Sequence, residues 1–142
     1  MSQIVRADVA LALIAFLCLG LTDFIRKRGT LAGASPTTYL LVETAILLAI
    51  LPLMALITER GAISLDSGVL TYAPLSGITI SIALLALMYG LRLGEGSTVI
   101  PLARLGLALA TVLSLLLLHE QITWSKALGL ALTVAAVFLL SR

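Results

Sequence analysis

Glu43 and Arg104 each stand inside a long apolar run of the sequence, where a charge is out of place. Placing an ionisable side chain in the middle of a bilayer costs about 2.5–3.5 kcal/mol or more. Such residues therefore face a partner, a polar interior or a water-filled path. Two chemistries fit the pair. In one, they form a site for a polar substrate or a proton, with Glu43 as the protonatable group and Arg104 drawing anionic or polar groups. In the other, they form an ion pair that locks two helices, or they are long side chains that reach to the interface. Tyr39 lies one helical turn before Glu43 on the same face and is expected to share its surroundings.

Other residue types offer less chemistry. His119 is the single histidine, and the residues after it, Glu-Gln-Ile-Thr, supply no second one, so no zinc-protease motif exists. Its position at a helix end suits an interfacial cap. Gly94-Glu-Gly-Ser matches no phosphate-binding loop, no Gly-x-Ser-x-Gly nucleophile pattern occurs, and no catalytic constellation is visible. Cys18 is the single cysteine and sits in an apolar run, so it forms neither an intrachain disulfide nor a thiolate metal site. The sequence calls for no metal, no cofactor and no ATP site.

The elements that position Glu43 and Arg104 follow from composition. Of the 142 residues, 61% are hydrophobic and 11% are charged. A soluble domain carries roughly a quarter charged residues. Mean hydropathy is +1.18. The chain therefore reads as all-α, an integral membrane bundle of about five transmembrane helices in one domain over 1–142. Each spanning helix needs about 17–25 mostly apolar residues. Five segments qualify: 4–25, 36–58, 69–91, 98–118 and 124–141. Ser35 is a natural cap for the second span, with Pro36 at its first helical position, and Thr123 is the cap expected for the fifth. The runs are continuous rather than alternating, which argues against a β-barrel. The N-terminus shows no convincing signal peptide, since Arg6 is followed at once by Asp8.

Prolines and glycines refine this picture. Pro36, Pro74 and Pro101 are expected in or near first turns, whereas Pro52 falls inside the second span and frees the carbonyl of Leu48. Gly106, Ala110 and Ser114 recur every four residues in the fourth span, a small-residue stripe for packing within the chain or between copies. On one continuous helix, Arg104 lies about 160° from Gly106. Tyr72, Tyr89 and Trp124 fall near span ends, as an aromatic belt does.

An odd number of spans puts the termini on opposite sides. One side carries three basic residues, Arg6, Arg60 and Lys126. The other carries five, Arg26, Lys27, Arg28, Arg92 and Arg142. The positive-inside rule favours a cytoplasmic C-terminus by a small margin, which keeps dual topology open. The basic residues are scattered at span ends, so no nucleic-acid surface is read from them. The second and fourth spans start from the same side, so Glu43 and Arg104 share a shallow depth, very roughly 8–10 Å, and are expected to face each other or one cavity.

Three stretches resemble the EamA domain of the drug/metabolite transporter superfamily. Gly20-Leu-Thr-Asp-Phe-Ile-Arg-Lys is similar to the end of that domain's first helix, and Ser97-Thr-Val-Ile-Pro-Leu-Ala to the start of its fourth. Leu118-His-Glu-Gln-Ile-Thr-Trp-Ser-Lys-Ala-Leu-Gly is similar to its last turn and final helix, with Glu120 and Gly129 at matching positions. The resemblance implies a small secondary transporter of the plasma membrane that moves a small polar metabolite by alternating access. Most such proteins carry two domains in inverted orientation. One five-helix domain therefore implies a homodimer, antiparallel by that logic, or pairing with a similar small membrane protein. The alternatives are a subunit of a lipid-linked sugar flippase and a non-transporting scaffold or accessory subunit. The related four-helix multidrug pumps carry a glutamate within the first helix. Here the first span has no such internal acid, which counts against proton-coupled export of cationic drugs.

Overall fold

A computed structural model describes residues 2–58, 65–119, 121 and 123–140. The connection 59–64, with its part of the charge count, lies outside these residues, as do Glu120 and Arg142. The elements are α1 (Ser2–Leu31), α2 (Pro36–Thr58), α3 (Ser67–Leu93), α4 (Gly96–Ala103), α5 (Gly106–Leu117) and α6 (Trp124–Leu140). No strand occurs among the described residues. Four segments are long and apolar enough to cross a membrane: Ala7–Leu31, Pro36–Thr58, Ser67–Leu93 and Gly96–Leu117. Trp124–Leu140 is a shorter apolar helix of 17 residues, at the lower limit for a span.

Helix ends follow local chemistry. The Ser35 carbonyl accepts the Tyr39 N–H at 2.9 Å, so α2 begins at Pro36 as its sequence requires. Thr123 caps α6, where its hydroxyl oxygen accepts the Lys126 N–H at 3.4 Å and its carbonyl the Ala127 N–H at 3.1 Å. α1 runs to Leu31, six residues past the expected end of the first span. Arg26, Lys27 and Arg28 are therefore helical rather than part of a loop. Lys and Arg are good helix formers and are favoured beside the negative end of the helix dipole. The chain leaves α1 through Gly33, whose φ of +87° is the left-handed conformation that glycine adopts without strain.

Two expectations about proline change. Pro74 is the eighth residue of α3, not part of its first turn, and Pro101 is the sixth of α4. Pro101 has no N–H to offer the Ser97 carbonyl. Three residues later the fourth span breaks into α4 and α5. Across the break the Leu105 N–H donates to Leu102 O (3.1 Å) and the Leu107 N–H to Arg104 O (3.0 Å), the tighter three-residue pattern. Arg104 and Leu105 therefore form a tightened turn between α4 and α5, with Gly106 opening the second of these helices.

By internal contacts the chain divides into two units, one of residues 1–24 and 93–142, the other of residues 25–92. In the first, α6 packs against α4 and α5, with Ala108 and Val137 buried. In the second, Met88 and Leu91 of α3 are fully buried and Leu40 of α2 nearly so. The Lys27 ammonium donates to the Leu91 carbonyl at 2.8 Å, near the C-terminal end of α3. The Tyr39 ring lies against Gly29, where a Cβ would come within 2.6 Å of its Cε2.

Large apolar side chains cover the outside of the helices, including Phe16, Leu48, Ile82 and Leu117, which are 65–74% exposed. Such a surface calls for lipid as its solvent. Hydroxyls within the spans are satisfied inside their own helix. Thr22, Thr58, Thr71, Thr79, Ser81, Thr111 and Thr133 each donate to the carbonyl four residues earlier at 2.7–2.9 Å.

Candidate functional site

Glu43 and Arg104 each pair with a residue of α1. Arg26 and Glu43, in the second unit, form a two-pronged pair. Nη2 donates to Oε1 at 2.6 Å and Nε to Oε2 at 3.2 Å. The Arg26 side chain is 9% exposed and that of Glu43 24%. In the first unit, Arg104 turns two donors onto one oxygen of Asp23, Nε at 3.0 Å and Nη2 closer still. Asp23 is buried, whereas Arg104 stays partly exposed at the break between α4 and α5. Glu43 and Arg104, expected to face each other or one cavity, thus each have a partner on α1, Arg26 and Asp23 respectively. Arg26 is available to Glu43 because α1 continues past Phe24, which carries Arg26 onto a helical position.

The sequence reading missed Asp23 and Arg26 as partners. Both lie where charge normally marks the edge of a span, so their types alone did not separate them from interfacial anchors. The available signal was Arg26-Lys-Arg, three good helix formers that let α1 run on past Phe24.

Tyr39 and Glu43 line one open cavity of about 410 Å³ in the second unit. Its polar wall is Ser35, Thr38, Tyr39 and Glu43, and its apolar wall includes Val42 and Ile46. This volume falls within the 300–1,000 Å³ of small-molecule sites, which combine apolar walls with a few placed polar groups. Glu43 lies two turns into α2, so the polar groups reach into the apolar part of the span.

The stripe in α5 has a different setting. Gly106 and Ala110 are exposed, and nothing lies within 4 Å of where a Gly106 Cβ would stand. Ser114 is half-buried. Ala108, on the opposite face, is the buried residue of α5. His119, expected as an interfacial cap, holds a left-handed φ of +53°, with Nδ1 3.1 Å from the Leu116 carbonyl.

The model of the EamA-like transporter family matches residues 7–142. The chain belongs to this family. The assignment agrees with the stretches around Gly20, Ser97 and Leu118 and makes the protein a multi-pass membrane protein of a transporter family rather than an enzyme family. A similar protein from Methanocaldococcus jannaschii, described as uncharacterized, is 37% identical over 92 residues, 65% of this chain and 67% of its own length. No solved structure matches the chain.

Proposed function

We propose that the protein is a small secondary transporter that moves a small polar metabolite across the plasma membrane by alternating access. The observation that carries this reading is the cavity of Ser35, Thr38, Tyr39 and Glu43. It brings the side chains of Ser35, Thr38 and Tyr39 and the Glu43 carboxylate to a mostly apolar face at the start of a membrane helix in a transporter-family chain. Arg104, in the first unit at the turn between α4 and α5, is a candidate substrate contact in its own right. Discontinuous helices serve in this way in transporters, because their free ends and adjacent charges meet polar groups.

The working form is a dimer, a homodimer or a pair with a similar small membrane protein. The exposed small-residue face of Gly106 and Ala110 supports this, since such faces let helices approach closely. The distribution of basic residues supports a cytoplasmic C-terminus, and its small margin supports insertion of copies in both orientations.

A metabolite export screen in cells with and without the protein identifies the transported compound. Glu43→Gln and Val42→Trp are then compared with the wild type. Both variants are expected to lose transport when activity is normalised to the amount of protein in the membrane. Full transport by both variants refutes the assignment of this cavity as the substrate site.

A further inference from the structure

Glu43 is the one carboxylate in the cavity wall, yet both of its oxygens are already engaged. Arg26 lies behind it, 7% exposed, and takes Oε1 and Oε2 with separate donors at 2.6 and 3.2 Å. A fork of this kind uses the carboxylate's charge and fixes its plane. The cavity wall is mostly apolar, with Val42 and Ile46 beside the side chains of Ser35, Thr38 and Tyr39 and a compensated carboxylate. A cation that approaches Glu43 meets a guanidinium already in place. An anion drawn toward Arg26 meets the carboxylate first. Repulsion at these separations is strong where the dielectric constant is low.

We infer that Arg26 is a specificity-determining residue: by occupying Glu43 it makes the cavity selective for small ligands without net charge. This rests on the reading of the cavity as the substrate site. Removal of either partner should convert the selectivity, because specificity of this kind comes from rejecting the wrong charge rather than from extra attraction to the right one.

The test is equilibrium dialysis of three benzene-ring probes against the full chain in nanodiscs, with empty nanodiscs subtracted for partition into lipid. The probes are phenyltrimethylammonium, benzenesulfonate and the uncharged N,N-dimethylbenzamide. The wild type is expected to bind the uncharged probe about tenfold more tightly than either ion. Arg26→Gln should gain about tenfold for phenyltrimethylammonium, and Glu43→Gln about tenfold for benzenesulfonate. The double variant should gain for neither. Where Arg26→Gln does not fold, the benzenesulfonate arm in Glu43→Gln decides alone. A wild type that binds an ion as well as the uncharged probe overturns the inference and leaves the cavity standing as a ligand site. So does an uncharged probe that binds every variant while neither ion gains. Binding of no probe to any variant overturns the inference together with the cavity reading.

Discussion

Arg26 and Glu43 stand 17 residues apart in sequence and meet through two parallel hydrogen bonds, one to each carboxylate oxygen. The pair ties the end of α1 to α2 and engages the carboxylate that lines the cavity. Its two members do not contribute equally. Arg26 is buried, whereas Glu43 is half-buried and faces the cavity.

That pair should behave as a unit in unfolding. Arg26→Gln and Glu43→Gln each remove one partner of a largely buried pair and should cost about 3–5 kcal/mol. The exchange of both, Arg26→Glu with Glu43→Arg, should recover more than half of this. A double-mutant cycle by thermal unfolding in detergent measures the coupling. Additive losses would show that the two side chains do not depend on each other.

Asp23 and Arg104 should respond asymmetrically. Arg104→Met deprives a carboxylate that is 2% exposed of its guanidinium, whereas Asp23→Asn leaves an arginine that is 37% exposed and able to turn toward water. The first change is expected to cost about 3–5 kcal/mol and the second about 1 kcal/mol. Equal costs in the same unfolding assay would contradict the observed difference in burial.

Gly29 should tolerate alanine only when Tyr39 is also changed. A new Cβ at Gly29 meets the Tyr39 ring at 2.6 Å. The overlap should cost about 1–3 kcal/mol, set against about 1 kcal/mol gained in helix propensity. In a Tyr39→Ala background only the gain remains, so Gly29→Ala should stabilise the protein there. Comparison of the two melting-temperature shifts provides the check, and the same sign in both backgrounds would count against the contact.

His119 should accept glycine and reject valine. Its φ of +53° costs an ordinary residue about 1–2 kcal/mol, a strain that glycine does not bear. Against this stands the loss of the Nδ1 contact with the Leu116 carbonyl. His119→Gly is expected to be neutral or to stabilise by up to about 1 kcal/mol, and His119→Val to destabilise by more than 1 kcal/mol. The measurement is again the midpoint of thermal unfolding.

The spans were legible because burial in lipid acts on every residue of a run. Hydropathy therefore marks α1, α2 and α3 whatever their partners. The start of α6 at Trp124 was legible because Thr123 caps it through its own side chain, and that of α2 because Pro36 suits a first helical position. The partners of Glu43 and Arg104 were not. They lie 17 and 81 positions away, and nothing local distinguishes a paired charge from an interfacial one. The α4–α5 break was hidden for a related reason. Arg104-Leu-Gly tightens the hydrogen bonding inside a run that is still apolar enough as a whole to span a membrane. Pro101 gave the hint, but it reads as a first-turn proline until the start of α4 is known.

The 81 residues between Asp23 and Arg104 also carry a meaning in time. A ribosome makes Asp23 long before Arg104, so the carboxylate reaches the membrane before the guanidinium that will hold it exists. Glu43 has no such delay, because Arg26 has already been made when Glu43 emerges. The hydroxyls of Thr22, Thr71 and Thr79 need no later partner, since each donates within its own helix. Helix insertion can therefore proceed one span at a time, while the closure of Asp23 onto Arg104 must wait until the fourth span has been synthesised. The first unit as a whole closes later still, because α5 and α6, which follow Arg104 in the chain, belong to it.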